Sequence, residues 1–473
     1  MGGARSAILR ADVWLFVTLV VACATRAFQL SQPARVYFDE FYAQDACVYL
    51  GLTPAVCGQA VELTWMHPPL GKWFISTGIA IFGFEPIGWR LAACAAGILL
   101  VAVVYLLCHR LTRSRLAAVV AAGLVALDPL AISMSRIAML DIFTATAGAA
   151  AILFLVIDGQ GLRGQPALTS GLMRPWRLAA GITAGVAVAT KWSGLLILVV
   201  AVVLALAYDR AANQESRGAH RMRSRATSIA WTGMLLVVVP SLVYVLSYIG
   251  RLGGDLVALP WAEGAWVREL AARQAEMLAF HLGLDAAHSS ASPAWSWFLG
   301  QRPVVLFHEP VTGGAVREIV ALVNPVIWLP ALGASVAAAV TVIRTRSGVI
   351  PELVIGLTVF GTYLPWLLLS SDRSQVFAYY ALPTLPFLAV GLGWAISRLP
   401  APAGRALAGA LAAVALAAVA VAVFILWLPF IYGWPMHPDA VRARALFTDC
   451  GRSSGDSGVQ SNPSSPPAGW CLR

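Results

Sequence analysis

Eleven apolar stretches constrain this chain of 473 residues more than any other feature of its sequence. Most of them reach the roughly 17–25 residues of helix that cross a bilayer. Because backbone groups in lipid need partners within their own segment, each spanning stretch must be a helix. We therefore predict an all-α polytopic membrane protein, with spans near residues 12–29, 90–109, 116–132, 139–157, 178–190, 193–208, 228–249, 319–343, 350–369, 377–397 and 406–430.

The basic residues indicate how these spans are oriented. Arginine clusters lie before the first span and after the second, fourth, sixth, eighth and tenth. All of them fall on the cytoplasmic side if the N-terminus is cytoplasmic, as the positive-inside rule requires. The net charge of +10 belongs mainly to these short loops, so we exclude nucleic acid as a partner. The cell membrane is the predicted location, with the C-terminus extracytoplasmic.

This orientation predicts one transmembrane domain over residues 1–430, with a first outer loop at 30–89 and a middle outer loop at 250–318. Residues 67–84, "HPPLGKWFISTGIAIFGF", are apolar enough to be a span, but the later arginine clusters would then alternate sides. We interpret them as a surface helix of the first outer loop. Residues 431–473 form an extracytoplasmic tail, which is rich in Ser, Pro and Gly and is predicted to be partly disordered.

Two cysteine pairs lie on the predicted outer side. Cys47 and Cys57 share the first outer loop, and Cys450 and Cys471 share the tail. An oxidising exterior would allow a disulfide within each pair. The residues alone leave both alternatives open for each pair, disulfide or free thiols.

Ionisable side chains collect near the predicted outer membrane face. Such groups are costly at membrane depth and are usually functional. Two adjacent acids, Asp39 and Glu40, lie among four aromatic residues in "RVYFDEFYAQDA". Other acids and bases come from distant segments but face the same side, namely His67, Lys72, Arg90, Arg136, Asp141, Lys191, Asp372 and Arg373.

The mixture of acids and cations suits transfer from an anionic lipid to a polar acceptor. A phosphate leaving group needs fixed cations, and a hydroxyl nucleophile needs a base such as a carboxylate. Structural interpretations also remain open at this stage. Outer arginines often bind lipid head groups, Arg136 and Asp141 could form a structural ion pair, and adjacent acids in a wet loop are commonly only solvated.

An ordered set of motifs resembles the protein O-mannosyltransferases, which are GT-C glycosyltransferases with a polyprenyl-phosphate-mannose donor. The set runs from "FDE" and "HPPLGKW" through "WRLAACAAG", "SRIAMLDIFTAT", "ATKWSGLL" and "HSSASPAWSW" to "SSDRSQVFAYYALP", so that the resemblance covers residues 12–430. Residues 250–318 are too short for the β-trefoil domain of eukaryotic members, so the chain resembles the minimal bacterial form. "AYYALP" stands where many members have a Tyr-His-Tyr run.

The resemblance implies a mechanism and a set of site residues. Asp39 would take the proton of a Ser or Thr hydroxyl, which attacks mannose with inversion, while Glu40 orients the acceptor. His67 would contact the donor or only brace the loop helix. The predicted residues for the donor phosphate and sugar are His67, Lys72, Arg90, Arg136, Asp141, Lys191 and Arg373. The predicted acceptor residues are His281, His288, Trp295 and Trp297.

The predicted partners are the donor lipid, secreted proteins rich in Ser, Thr and Pro, and the export translocon that delivers them. The scheme requires no metal ion or other cofactor. A GT-C transferase acting on a glycolipid or a cell-wall glycan is the main alternative, and "HSSASPAWSW" favours a protein acceptor over it. A flippase for a lipid-linked sugar should show paired repeats and broken helices at the midplane, and the sequence shows neither.

Overall fold

The computed structural model describes residues 12–161, 174–214, 227–249, 266–284, 290–345, 351–372, 375–399 and 405–446. Within these ranges the chain is mostly helical. The helices are α1 (Val13–Ala27), α2 (Phe41–Tyr49), α3 (Pro54–Cys57), α4 (Leu70–Phe82), α5 (Pro86–Thr112), α6 (Arg115–Leu127), α7 (Pro129–Ser135), α8 (Leu140–Gly161), α9 (Pro175–Thr190), α10 (Gly194–Gln214), α11 (Thr227–Ser247), α12 (Trp266–Gly283), α13 (Pro325–Thr345), α14 (Pro351–Asp372), α15 (Leu385–Ser397), α16 (Arg405–Tyr432) and α17 (Pro438–Arg444). Short 3₁₀ helices cover Ala294–Leu299 and Ala378–Thr384, and two strands form β1 (Val304–Val311) and β2 (Ala315–Ala321).

Eight of the described helical segments are long and apolar enough to cross a membrane. Helices α6 and α7 meet at a 60° bend and make a ninth span if they are counted together. The bend follows from Pro129, which begins α7, and from Asp128, whose side chain accepts a hydrogen bond from the Ala131 N–H at 2.9 Å. The two remaining predicted spans coincide with α1 and α9, of 15 and 16 residues. The predicted polytopic, predominantly helical membrane protein is confirmed.

Besides the helices, the described ranges contain one β-hairpin, which packs against α7 and α16. Strands β1 and β2 pair antiparallel through a turn in which Gly313 and Gly314 have positive φ, a conformation that glycine adopts without steric cost. The predicted start of the eighth span at residue 319 is wrong, because residues 319–321 complete β2 and α13 begins at Pro325. The apolar, β-branched run in "REIVALV" fits a buried strand as well as a helix, and hydropathy alone does not separate the two.

The predicted domain boundary at residue 430 falls inside α16, which ends at Tyr432. Beyond it, Met436 and Val316 exchange two backbone hydrogen bonds of 2.8 Å, which extends the hairpin by one bridge. Helix α17 follows, with Val441 buried against this layer. The disorder predicted for the rest of the tail, and the Cys450–Cys471 pair, lie outside the described residues.

The loop between α1 and α5 folds into a compact unit of three helices. A disulfide joins Cys47 in α2 to Cys57 in α3, which settles the alternative left open for that pair. Lys72 of α4 is completely buried and lies 3.1 Å from a carboxylate oxygen of Asp45 and 2.6 Å from one of Glu62. Charge pairing and a covalent bond therefore hold together the loop that leads from Asp39 to the membrane helices.

Candidate active site

Asp39 lies in a turn between α1 and α2 and has a half-buried side chain. Phe38, directly before it, has a backbone φ of 51°, in the left-handed region that residues other than glycine rarely adopt. Such strain persists only where neighbouring contacts hold it, often at functional sites. Here the Phe38 ring packs against Tyr379, with the ring centroids 6.1 Å apart. The contact with Tyr379 thus holds the strained turn that carries Asp39.

The Asp39 carboxylate accepts no hydrogen bond from the part of the chain that the structure describes. Removal from water raises the pKa of Asp39 to about 6, while the nearby charge of Lys191 lowers it and that of Asp141 raises it. A carboxyl group with this pKa is mostly ionised at neutral pH yet basic enough to accept a proton. That combination is what general base catalysis requires.

Lys191 and Asp141 form a fixed ion pair beside Asp39. The Lys191 Nζ atom lies 2.8 and 2.9 Å from the two carboxylate oxygens of Asp141. Lys191 follows the last residue of α9, and Asp141 is in the first turn of α8. The ammonium also lies 4.7 Å from the ring centroid of Tyr380 and 5.8 Å from that of Tyr379. Three separate segments thus bring two acids and one cation together.

Glu40 and Arg90 bind each other and do not face the space beside Asp39. Both side chains are completely buried, and the Arg90 Nε and Nη2 atoms donate to Glu40 at 2.7 and 2.8 Å. Arg90 donates its remaining N–H groups to the carbonyls of Leu30, Pro33 and Arg35, so all five donors of the guanidinium have partners.

Glu40 is satisfied to the same degree. Its carboxylate also accepts from the Trp89 indole and from the backbone N–H of Ala138, each at 3.2 Å. We therefore correct the two predicted roles. Glu40 does not face an acceptor and Arg90 has no free donor for a phosphate; the pair instead fixes the turn that carries Asp39 against α5.

Two further predicted donor ligands have structural partners. Arg136 donates to the carbonyl of Arg26 at 2.9 Å, to that of Gln29 at 3.1 Å and to that of Phe28, and it lies over the Tyr432 ring at 4.6 Å. Lys72 is enclosed by Asp45, Glu62 and the Thr64 carbonyl. The interpretation of Lys72 as a phosphate ligand is corrected, because its ammonium is enclosed within the fold. The Arg136 guanidinium has partners for three of its five N–H groups, so its role at the phosphate stays a prediction. Arg373 and His288 lie outside the described residues.

His67 and His281 meet where α12 approaches the first loop. Their ring centroids are 5.6 Å apart, and the His281 Nε2 atom lies 3.0 Å from the Met66 carbonyl oxygen. The His67 ring is 5.8 Å from that of Tyr42, and the backbone N–H of Tyr42 donates to the Asp39 carbonyl at 3.3 Å. His67 is therefore close enough to border the site as well as to brace the loop, and both predicted roles stay open.

The two predicted acceptor tryptophans have opposite environments. Trp297 is 1% exposed and donates to the Ser292 carbonyl at 2.9 Å. It packs beside Tyr380, with centroids 6.4 Å apart, so it supports the site from behind and cannot line an open groove. Trp295 is 62% exposed and remains available for a contact.

Tyr379 and Tyr380 belong to the site although neither was predicted as a site residue. Both follow the predicted donor ligand Arg373 in "SSDRSQVFAYYALP", and their ring centroids lie 5.8 and 4.7 Å from the Lys191 Nζ atom. Their position next to a charged motif at a predicted span end was the available signal. Apolar periodicity alone would assign them to helix packing.

Two family models match the chain, and together they cover most of it. "Dolichyl-phosphate-mannose-protein mannosyltransferase" matches residues 16–249, and "C-terminal four TMM region of protein-O-mannosyltransferase" matches residues 266–450. A polyprenol-phosphate-mannose–protein mannosyltransferase of Mycolicibacterium smegmatis is 27% identical, with 81% of each chain covered. The protein of the same name from Mycobacterium tuberculosis is 28% identical over 69% of each chain.

Solved structures with GT-C folds share the same architecture. The S. cerevisiae protein O-mannosyltransferase Pmt1–Pmt2 complex bound to the sugar donor superposes with a TM-score of 0.73 at 14% identity, covering 92% of both chains. ArnT from Cupriavidus metallidurans superposes with a TM-score of 0.55 at 18% identity, covering 92% of this chain and 68% of ArnT. At such identities the likeness establishes the fold. Together with the family models, it shows that this chain is a GT-C glycosyltransferase and belongs to the dolichyl-phosphate-mannose–protein mannosyltransferase family.

Proposed function

We propose that this protein transfers mannose from polyprenyl-phosphate-mannose to Ser or Thr hydroxyls of exported proteins, with Asp39 as the general base. The observation that carries the proposal is the half-buried Asp39 carboxylate, which accepts no hydrogen bond from the described residues and lies beside the Lys191–Asp141 pair. The family and the named relatives support the donor and the acceptor class.

The proposed step is a single displacement. Asp39 takes the proton of the acceptor hydroxyl while the oxygen forms a bond to the anomeric carbon of mannose. The bond from that carbon to the phosphate oxygen breaks, and its electron pair leaves with the polyprenyl phosphate. Because attack and departure occur on opposite faces of the sugar, the anomeric configuration is inverted.

Lys191 is the described cation best placed to stabilise the departing phosphate. Its pairing with Asp141 fixes the position of the ammonium, and the rings of Tyr379 and Tyr380 exclude water around it. Arg373 remains a proposed second phosphate ligand on the strength of its motif. Because fixed side chains supply the positive charge, the scheme requires no metal ion.

The proposed orientation places this site on the extracytoplasmic side, where acceptors leave the export translocon. The support comes from the arginine clusters, which predict that Asp39 and the cytoplasmic loops lie on opposite sides. Secreted proteins rich in Ser, Thr and Pro would meet the donor lipid there.

The decisive assay uses purified full-length protein with polyprenyl-phosphate-mannose and a Thr-rich peptide. Asp39→Asn should lower kcat by roughly 10³-fold, within the range for loss of a general base. The matched control Asp439→Asn removes a carboxylate that is 95% exposed and should leave kcat unchanged. No transfer to the peptide by the unaltered protein, or full activity of the Asp39 variant, would contradict the proposal.

A further inference from the structure

A second concave site lies on the Asp39 end of the molecule, between the loop before Asp39 and the β-hairpin. The cavity has a volume of about 200 Å³ and is lined by Gln32, Pro33, Ala34, Arg35, Phe307, Glu309, Arg317, Tyr432 and Gly433. We propose that it is an acceptor exosite, which binds an acidic side chain of the polypeptide several residues away from the hydroxyl that receives the sugar. The inference rests on the proposed function.

The charged groups of this exosite can change partners readily. Arg35 and Arg317 are roughly half exposed, and each approaches Glu309 through one long contact, of 3.3 and 3.9 Å respectively. Exposed ion pairs of this kind contribute little stability, so an incoming carboxylate can recruit both guanidinium groups at small cost. Arg90 differs from these two arginines, because all five of its N–H donors already have partners within the fold.

The exosite is mechanically tied to Asp39. One guanidinium, that of Arg90, binds the carbonyls of Pro33 and Arg35 in the cavity wall and also binds Glu40, the neighbour of Asp39. The Tyr37 and Phe307 rings contact each other 5.4 Å apart and close the gap between wall and hairpin. A ligand held in the cavity is therefore held at a constant distance from the proposed base.

The hairpin also suits an extended polypeptide. Val316 directs its backbone groups to Met436, away from β1, so its cross-strand partner Pro310 directs its carbonyl outward. His308, two residues earlier, directs both its N–H and its carbonyl outward in the same way. In the described ranges no backbone hydrogen bond covers that edge of β1. A proline in this strand fits an edge position.

The mixed charge favours a polypeptide over an anionic lipid head group. Glu309 lies between the two arginines and repels any anion that approaches them, a carboxylate as well as a phosphate, unless the ligand also brings a donor for Glu309. A polypeptide can offer a carboxylate to the arginines and N–H groups to Glu309. Four positions separate Arg35 from Asp39, so their Cα atoms lie at most about 14 Å apart. The acidic residue should therefore lie within about six residues of the acceptor.

The test compares two fluorescent Thr-rich peptides that differ only by Glu or Gln at that spacing. Binding to the full-length protein in phosphatidylcholine nanodiscs is measured without donor, so the readout does not depend on sugar transfer. We expect the Glu peptide to bind about tenfold more tightly. The double variant R35Q/R317Q should reduce that ratio to about one, whereas R442Q, which changes a half-exposed arginine paired with Asp439, should preserve it.

Equal binding of the two peptides by the unaltered protein, or a preference that survives in R35Q/R317Q, would overturn the exosite. A double variant that loses only a dependence on added anionic lipid would assign the cavity to a lipid head group and would overturn the exosite as well. Failure of the unaltered protein to glycosylate either peptide would count against the proposed function instead, because the binding ratio is measured separately.

Discussion

Buried acids lie at both ends of helix α8, but they differ in how many hydrogen-bond and ion-pair partners they have. Near its last turn, Asp158 and Asp209 face Arg174 and Arg177, and we call these four residues the distal cluster. At 1.5 Å per residue, Asp158 lies about 25 Å along the helix from Asp141. There the two acids balance the two bases, and Asp209 also accepts from the hydroxyls of Ser228 and Thr232. At the other end, Asp39 accepts no hydrogen bond from the described residues.

This difference separates structural charge from chemical charge. A buried ion that is fully paired holds helices together, since the distal cluster joins residues of α8, α10 and α11 to α9. Asp39, by contrast, lies beside Lys191, which is already paired with Asp141. The Asp39 carboxylate therefore keeps its lone pairs for a substrate. The same fold therefore contains both a structural and a chemical charge site. The residue types are the same at the two sites, and the hydrogen-bond partners of the acids distinguish them.

The largest stability effect should come from breaking the distal cluster. Arg177→Met leaves Asp158 and Asp209 short of a partner inside the protein, and removal of one member of a buried pair typically costs about 3–5 kcal/mol. Thermal unfolding of the purified protein should show a large drop in Tm. Arg210→Met changes an exposed arginine in the neighbouring helix and should leave Tm unchanged. A stable Arg177 variant would show that the cluster does not hold the helices together.

Substitution of Glu40 should have a smaller effect, on both stability and kcat. Glu40 lies at the Asp39 end of the molecule, but it is fully paired like the acids of the distal cluster. Glu40→Gln removes the charge that faces Arg90 and should cost about 2 kcal/mol of unfolding free energy. Because the turn that carries Asp39 loosens, kcat should fall roughly tenfold, far less than for Asp39→Asn. The pH dependence of the residual activity should keep its midpoint. A fall in kcat as large as that of Asp39→Asn would contradict this account and would indicate a direct catalytic role for Glu40.

The sequence predicted the membrane helices well, because hydropathy is a local property, and it singled out Asp39, Asp141 and Lys191, which the fold brings together. It did not distinguish Lys191 from Arg90, Arg136 and Lys72, although all four were predicted to hold the donor. Their roles depend on carbonyls and carboxylates from loops that only the fold brings near, such as Leu30 and Pro33 around Arg90. The hairpin was missed because its β-branched run is as apolar as a span.

The central claim is that Asp39 accepts the proton, and the pH dependence of kcat/KM tests it most directly. A base must be deprotonated, so activity should rise with pH through a midpoint near 6, the pKa of Asp39. The charge of Lys191 lowers that pKa and the charge of Asp141 raises it. Lys191→Gln should therefore move the rising limb to higher pH, and Asp141→Asn should move it to lower pH. A flat profile from pH 5 to 8, or shifts of the opposite sign, would contradict the assignment of Asp39 as the base.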